Sequence, residues 1–433
     1  MRESILLLLF VGLSGFAHGA GAVETLEQAW RRALDNDQVL AASRHETQAA
    51  RMDATAARAA RYPTLSASGS YVQLDDAPAF DFSAAGILTQ MPGIIDHDNA
   101  AIASATVTMP LYTGGRISND IAAAREMLRA RELGETQTAQ DLKLAVAIAY
   151  VDVLRAQRAL EVADSNVASL ESYAREVTSA FEREVAPRND LLSAQVALAD
   201  ARQKRIRAAN GLELARAAYN RRLGEPLARH VELDPTLPDL QPDLTAQPLE
   251  QLVARALDAR PELRALNAQS QALQHRADAE RARGLPQVSL SGGYTYLENE
   301  VFDRDRFAVA MLGFSWAVFD GGQIRSRSSA LRSASRALES RARDRESLIA
   351  LDVRQAWLDV QETRSRVDVT REAVEQSEEN LRITRSQYRA ELVTSTRVLE
   401  AESLRVLSRT NHHDAVLDHA LARYRLARAV GEL

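Results

Sequence analysis

The residues best suited to chemistry fall into three groups, and what they mostly offer is charge. The first group flanks two short breaks in an otherwise helical pattern. Glu182, Arg183, Glu184, Arg188 and Asp190 surround one break; Arg389, Glu391, Arg397 and Glu400 surround the other. Carboxylates and guanidinium groups mixed at this density can form ion pairs, each weak when exposed. The second group is His412, His413 and His419. His412 and His419 would stand about 10 Å apart along a helix, too far to share one ion through bonds of ~2 Å. They read as helix-surface residues. The third group, Asp75-Asp76 and Asp96-His97-Asp98, reads as solvated loop tips rather than calcium ligands. No Ser-His-Asp arrangement, phosphate loop or HExxH motif occurs, so the sequence gives no support for an enzyme and implies no metal and no cofactor.

Composition narrows the class. The 433 residues include no Cys, which excludes disulfides, thiolate metal sites and a lipid-modified N-terminal Cys. A net charge of -6 gives no support for nucleic-acid binding. Aromatics make up only 5% while Ala and Arg abound, which favours helices packed closely through small residues. Residues 5–15 form an apolar run after Met1-Arg2, followed by small residues at Ala17, Gly19, Ala20 and Ala22. This is the pattern of a secretory signal peptide over residues 1–22. No later stretch has the ~18 consecutive apolar residues of a transmembrane helix.

The charged groups must be positioned by long helices. From Val146 the apolar positions step alternately by three and four through Ala149, Val153, Ala156, Leu160, Ala163, Val167, Leu170, Ala174 and Val177 to Phe181. This is the period of helices that supercoil against neighbours. The run stops at Pro187, which cannot continue a helix interior. A second seam, from Leu191 through Ala194, Leu198 and Ala201 to Tyr219, makes the return limb of an antiparallel hairpin. Moving 207 residues along the chain reproduces the period of the first seam, with Thr and Ser replacing some Ala: Val146 becomes Val353, Phe181 becomes Tyr388, and Leu223-Gly224-Glu225 becomes Val430-Gly431-Glu432. Residues 23–224 thus form a first structural repeat and 249–433 a second. Residues 225–248 are proline-rich and lack the heptad pattern, as expected of a surface linker.

Each repeat opens with a helical stretch, 25–61 and 249–283, followed by two segments that alternate with period two. The expected strands are 64–72 and 101–109, then 288–296 and 307–319. Gly114-Gly115 and Gly321-Gly322 mark the strand-to-helix junctions. Strands of about ten residues cross a bilayer when tilted. An open sheet edge is not tolerated in lipid, so four strands must be one share of a shared barrel. Two copies would make eight strands, filled by side chains, and three copies twelve, with room for a passage. Val288, Leu290 and Tyr294 share one face, and the even positions Leu312, Phe314, Trp316 and Val318 are expected on the lipid side.

The repeat, the strands and the junction glycines together resemble the TolC-like outer-membrane efflux channels along essentially the whole mature chain. Phe319-Asp320-Gly321-Gly322 and Tyr112-Thr113-Gly114-Gly115 carry the resemblance at the junctions. Residues Asp190-Leu191-Leu192-Ser193-Ala194-Gln195 and Arg397-Val398-Leu399-Glu400-Ala401-Glu402 carry it after the turns. The resemblance implies a mainly α fold with a four-stranded β contribution. In a homotrimer, duplicated coiled-coil hairpins would form a helical tunnel below a shared transmembrane β-barrel in outer-membrane lipid. It also implies a periplasmic adaptor protein and an inner-membrane transporter as partners, in efflux or type I secretion, with the tunnel in the periplasm. Asp190 and Glu400 match positions near the tunnel mouth, with Arg188 and Arg397 the nearest cations in sequence. The turn residues Glu184, Val185, Ala186, Glu391, Leu392 and Val393 match the adaptor-facing tips. The chain departs from the family in having Glu184 and Glu391 where Gly is usual and Arg397 where an acid is usual. The alternatives at this point are a periplasmic adaptor and a structural coiled-coil protein. Adaptors also carry a long hairpin, but not two hairpins with four evenly placed strands.

Overall fold

Two helices of 67 residues set the dimensions of the chain: α3, Arg116–Glu182, and α7, Gln323–Arg389. At ~1.5 Å per residue each is about 100 Å long. The computed structural model describes residues 23–75, 79–80, 91–92, 98–238, 244–298 and 303–433. The expected signal peptide, Asp76, Asp96 and His97 lie outside the described residues. Helix α3 returns through α4, Arg188–Arg222, and α7 returns through α8, Ser395–Val430. Among the described residues no helix is long and apolar enough to cross a membrane.

The seams read from the sequence are the packed faces. Val146, Val153 and Val177 are fully buried on α3, as are Val353 and Val360 on α7. Near the hairpin turns, Leu170, Tyr173, Val177, Ala194, Leu381, Val398 and Ala401 make one apolar cluster from all four long helices. The small residues Ala194 and Ala401 let backbones approach there, so low aromatic content is compatible with close packing.

The helix expected over residues 25–61 is in fact two, α1 (Leu26–Asn36) and α2 (Gln38–Ala59). Thr25 and Gln28 close the capping box at the start of α1, each side chain accepting from the other's backbone N–H. Asp37 breaks the run. Its ψ of 124° is extended, and its carboxylate accepts the Leu40 N–H at 2.9 Å, so it ends one helix and caps the next. The second repeat breaks at the matching place. There Arg260, with ψ 123°, separates α5 (Leu249–Ala259) from α6 (Pro261–Ala282), and Pro261 opens α6.

The strands are β1 (Thr64–Gln73), β4 (Asn99–Tyr112), β5 (Gln287–Leu297) and β6 (Arg306–Ser315). A short pair, β2 (Ala79–Phe80) and β3 (Met91–Pro92), lies between β1 and β4 in sequence. The long strands form one antiparallel sheet in the order β1-β4-β5-β6, leaving β1 and β6 as edges. Strand β6 stops at Ser315, short of the expected Phe319. Trp316 instead donates its indole N–H to the Gly284 carbonyl at 3.0 Å, which ties the chain to the junction. Trp316 and Val318 therefore follow the strand rather than continue its face.

The register sorts the side chains. One face carries the rows Leu65-Val107-Gly292-Ala310, Ala67-Ala105-Tyr294-Ala308, Met109-Leu290-Leu312 and Tyr112-Val288-Phe314. These rows are apolar or aromatic; the next row on the same face, Gly69-Ala103-Tyr296-Arg306, sets a guanidinium over the Tyr296 ring. The opposite face carries Thr64-Thr108-Ser291, Ser66-Thr106-Gly293 and Ser68-Ser104-Thr295, with Phe307, Val309 and Met311 of β6 beyond them. Hydroxyls pair across that face, Ser68 with Ser104 at 2.9 Å. An apolar outer face and a hydroxylic inner one is the pattern of a membrane barrel with a wet interior.

The linker is less free than expected. Val231, Leu233 and Leu244 are buried, and Leu233 makes a parallel bridge to Glu24. The Tyr150 hydroxyl lies 2.8 Å from the Glu24 and Asp234 carbonyls and holds both segments against α3. The alternation of Val231 and Leu233 is a short strand-like signal hidden among prolines.

Leu312 is 67% exposed on the apolar face, opposite Leu290. Leu312→Arg should cost roughly 2 to 4 kcal/mol at a bilayer midplane. The measurement is the yield of folded protein in the outer-membrane fraction; an unchanged yield would place this face away from lipid.

Candidate functional site: the helical mouth

Both hairpin turns lie at the end of the long helices farthest from the sheet, and they lie together. A cleft of about 850 Å³ separates them, lined by Arg175, Glu176, Arg183, Asp190, Tyr388 and Arg389 among others. Its walls mix both charge signs, which suits ion steering or docking of a polar partner.

Each turn is closed by the same backbone device. In the first, the Glu184 N–H donates to Phe181 O and the Val185 N–H to Ala180 O, both at 2.9 Å. In the second, the Glu391 N–H donates to Tyr388 O at 3.0 Å and the Leu392 N–H to Gln387 O at 2.9 Å. This satisfies the last carbonyls of each helix by placing one residue in the left-handed region. That residue is Glu184, with φ 61°, and Glu391, with φ 59°, the two non-glycine residues with positive φ among those described. Glycine is the usual occupant because a Cβ is strained there. Beyond them Val185 and Leu392 are 55% and 75% exposed, with Ala186 and Val393 beside them. The tips are thus apolar knobs set in a charged rim.

The residues expected at the mouth are placed as follows. Asp190 lies in the first turn of α4, where a carboxylate suits the helix dipole. Its Oδ2 accepts from the Tyr388 hydroxyl at 3.3 Å, a contact between α4 and α7. Burial raises the Tyr388 pKa, and nearby Tyr173 and Asp190 raise it further, so the hydroxyl stays protonated as the donor. Arg188 is exposed and has no ion-pair partner among the described residues, so the expected pairing with Asp190 is absent. Arg397 does pair with Glu400, at 3.2 Å, but both lie on one turn of α8 and both are exposed. That pair cannot by itself hold two helices together. The ties between helices are Tyr388 to Asp190, Tyr173 to Ser395 at 2.8 Å, and Arg389 to Glu176 at 3.6 Å. At the far end of the long helices, Gly114, Gly115, Gly321 and Gly322 all have positive φ at the strand-helix junctions. A Cβ on Gly114 would also lie 2.7 Å from that of Leu285.

Sequence reasoning missed a buried ionic cluster just above the mouth. Glu402 is 3% exposed on α8 and is flanked by Arg405 on its own helix and Arg385 on α7. Ser169 of α3 donates to Glu402 at 2.9 Å and accepts from Arg385 at 2.6 Å. Arg405 also reaches Ser165 at 3.2 Å. The available signal was the pair of serines on α3, Ser165 and Ser169, spaced to lie on one helix face. His412 and His419 face Thr370 and Thr363 through Nδ1, at 3.2 and 3.1 Å, as rungs between α7 and α8. Burial holds the His413 and His419 pKa values below 6.5.

Two outcomes follow for stability. Glu184→Gly and Glu391→Gly should each stabilise by about 1 kcal/mol, since glycine relieves the left-handed strain; thermal unfolding of the single variants measures it. Glu402→Ala leaves two arginines without their shared carboxylate and should cost about 3 to 5 kcal/mol. A loss from Glu402→Ala no larger than that of an exposed glutamate, such as Glu400→Ala, would show the cluster to be solvated.

Over residues 29–225 and 252–432 the sequence matches the family described as outer membrane efflux protein. Comparison with curated protein sequences finds no match. Among solved structures, the outer-membrane channel OprN is 20% identical and superposes with a TM-score of 0.80, covering 94% of this chain and 90% of that one. The outer membrane protein VceC of Vibrio cholerae is 16% identical, with a TM-score of 0.80 and coverage of 94% and 96%. The outer membrane channel MtrE of Neisseria gonorrhoeae, in its open state, is 18% identical, with a TM-score of 0.75 and coverage of 94% and 88%. At such identities the likeness concerns the fold: a helical tunnel element joined to a share of a barrel. The family match spans both repeats, and the chain belongs to the outer membrane efflux protein family.

Proposed function

We propose that this chain is the outer-membrane channel subunit of a tripartite efflux system, a passive duct for substrates delivered by an inner-membrane pump. Three copies close a twelve-stranded barrel in the outer membrane, and their helical hairpins form a tunnel through the periplasm to a periplasmic adaptor. The observation that carries this reading is the sheet, with one largely apolar face, an opposite face rich in hydroxyls and two unpaired edges, β1 and β6. The apolar face suits lipid, but the open edges and the hydroxyls of the other face do not; both are resolved when β6 of one copy pairs with β1 of the next and the polar face turns inward. The helices support it. Helix α6 packs on both α3 and α7, whereas its counterpart α2 packs on α3 alone, which leaves one flank free for a neighbour. Transport needs no catalytic group, only an opening.

The mouth charges fit a gate. Asp190 and Arg397 occupy equivalent first-turn positions of α4 and α8, so three copies would alternate acid and base around the axis, with Glu400 one turn farther along. Carboxylates set about one axis favour cations in transit, and the arginines offset part of that field. The exposed tips at Val185 and Leu392 fit apolar contacts with an adaptor.

Detergent extraction of the outer-membrane fraction should give a particle of three chains, and a monomer that washes off membranes would overturn the proposal. In a planar bilayer, Arg397→Ala should raise single-channel conductance and Glu400→Ala should lower cation selectivity. If neither variant differs from the parent, these are ordinary solvated charges and the constriction lies elsewhere.

A further inference from the structure

The duplication of the chain also duplicates its contacts, and one copy of them is uncovered. Left-handed residues recur at a constant separation of 207: Gly115 and Gly322, Glu184 and Glu391, Gly224 and Gly431. Every position in the first hairpin therefore has one counterpart in the second, without slippage. Inside the chain, the first repeat meets the second along α3 and α8. There Arg155 of α3 binds Asp414 and Asp418 of α8 at 3.3 and 2.8 Å, with all three side chains about two-thirds buried. The counterpart of Arg155 is Glu362 on α7, and the counterpart of Asp414 is Arg207 on α4. In the single chain these two are uncovered. The Glu362 side chain is 67% exposed, with only a 3.9 Å contact to Arg366 on its own helix. Arg207 is exposed and has no ion-pair partner among the described residues.

We infer that Glu362 of one protomer forms an ion pair with Arg207 of the partner subunit, at the place between protomers that Arg155 and Asp414 occupy within one. The inference rests on the closed ring proposed above and adds to it the contact that joins successive copies. Charge complementarity supports it. At positions equivalent to the contact within the chain, α4 presents Arg188, Arg207 and Arg221, all exposed, and α7 presents Glu362 and Glu372, also exposed.

The order of charges is reversed between the two contacts, and the reversal has a purpose. Within the chain the cation stands on the long helix and the acid on the return helix; between protomers the acid stands on the long helix. Setting two first repeats side by side would bring Arg155 against Arg207, and two second repeats would bring Glu362 against Asp414. Either arrangement opposes like charges at a partly desolvated contact, which is a penalty against the wrong order. The backbone alone, with long helices of equal length and the same left-handed turns in the two halves, offers no such discrimination.

The test uses the full-length protein, which has no native Cys. Glu362→Cys combined with Arg207→Cys, treated with a short bismaleimide, should yield a covalent trimer on a denaturing gel. Arg155→Cys with Asp414→Cys should crosslink inside one chain and run as a monomer. A particle of three chains that gives no covalent trimer from the first pair overturns the inference and leaves the channel reading intact. A particle of monomer mass overturns both. Charge reversal gives a second measurement: Glu362→Arg and Arg207→Glu should each lower the temperature at which the trimer dissociates in detergent, and the double variant should recover most of that loss. A double variant that loses as much as the two singles together overturns the pairing.

Discussion

A backbone N–H or C=O left unpaired in hydrocarbon costs several kcal/mol, and the rest of this structure follows from that penalty. The sheet satisfies its three internal pairings but leaves the outer sides of β1 and β6 open. In the channel proposed above, closure comes from other copies, and the helices below must arrive at angles and spacings that allow it. The two junctions fix those angles. Left-handed glycines turn each strand pair into a 67-residue helix, and Gly114 does so against Leu285 with no room for a side chain.

Below the junctions the problem changes from backbone pairing to close packing over about 100 Å of helix. Alanine-rich seams solve it, and polar residues are placed where the seams meet, both within a repeat and between the two. The Thr-His rungs between α7 and α8 and the cluster around Glu402 are of this kind. Buried polar pairs add little net stability, but they penalise sliding by a heptad, which an all-alanine seam would permit.

How much of this was legible depended on whether a feature repeats. The heptads from Val146 and Val353, the alternation in β1 and β5 and the separation of 207 are periodic, and each is borne out by burial or register. Single events were not legible. Asp37 divides one apparent helix because its carboxylate offers the Leu40 N–H a local partner, a competition that periodicity does not register. Strand β6 ends early because Trp316 finds a carbonyl on a distant turn. At the mouth, proximity in sequence suggested that Arg188 would pair with Asp190, whereas the partner is Tyr388, on another helix. The charges of Glu402 and Arg405 looked like surface charges because nothing local shows that α3 and α7 will cover them. Glu184 and Glu391 stood out at positions where the resemblance calls for glycine, but only the backbone shows that both adopt its left-handed conformation.

The bridge between Glu24 and Leu233 also sets an order of events during folding. Glu24 is held on one side by the Glu232 carbonyl and on the other by the Asp234 N–H, and its carboxylate binds Arg229 across a separation of 205 residues. The start of the described chain consequently has no docking site until both limbs of the first hairpin and the segment after them have emerged. Loop closure on that scale is slow, because the entropy of a long loop is lost before any contact is gained. The first hairpin, whose own contacts are nearer in sequence, does not need this bridge, and α1 can lie on α3 through Trp30 and the Lys143 carbonyl before it closes. The belt around Tyr150 then acts as a late fastening, one that closes only on a first repeat already complete.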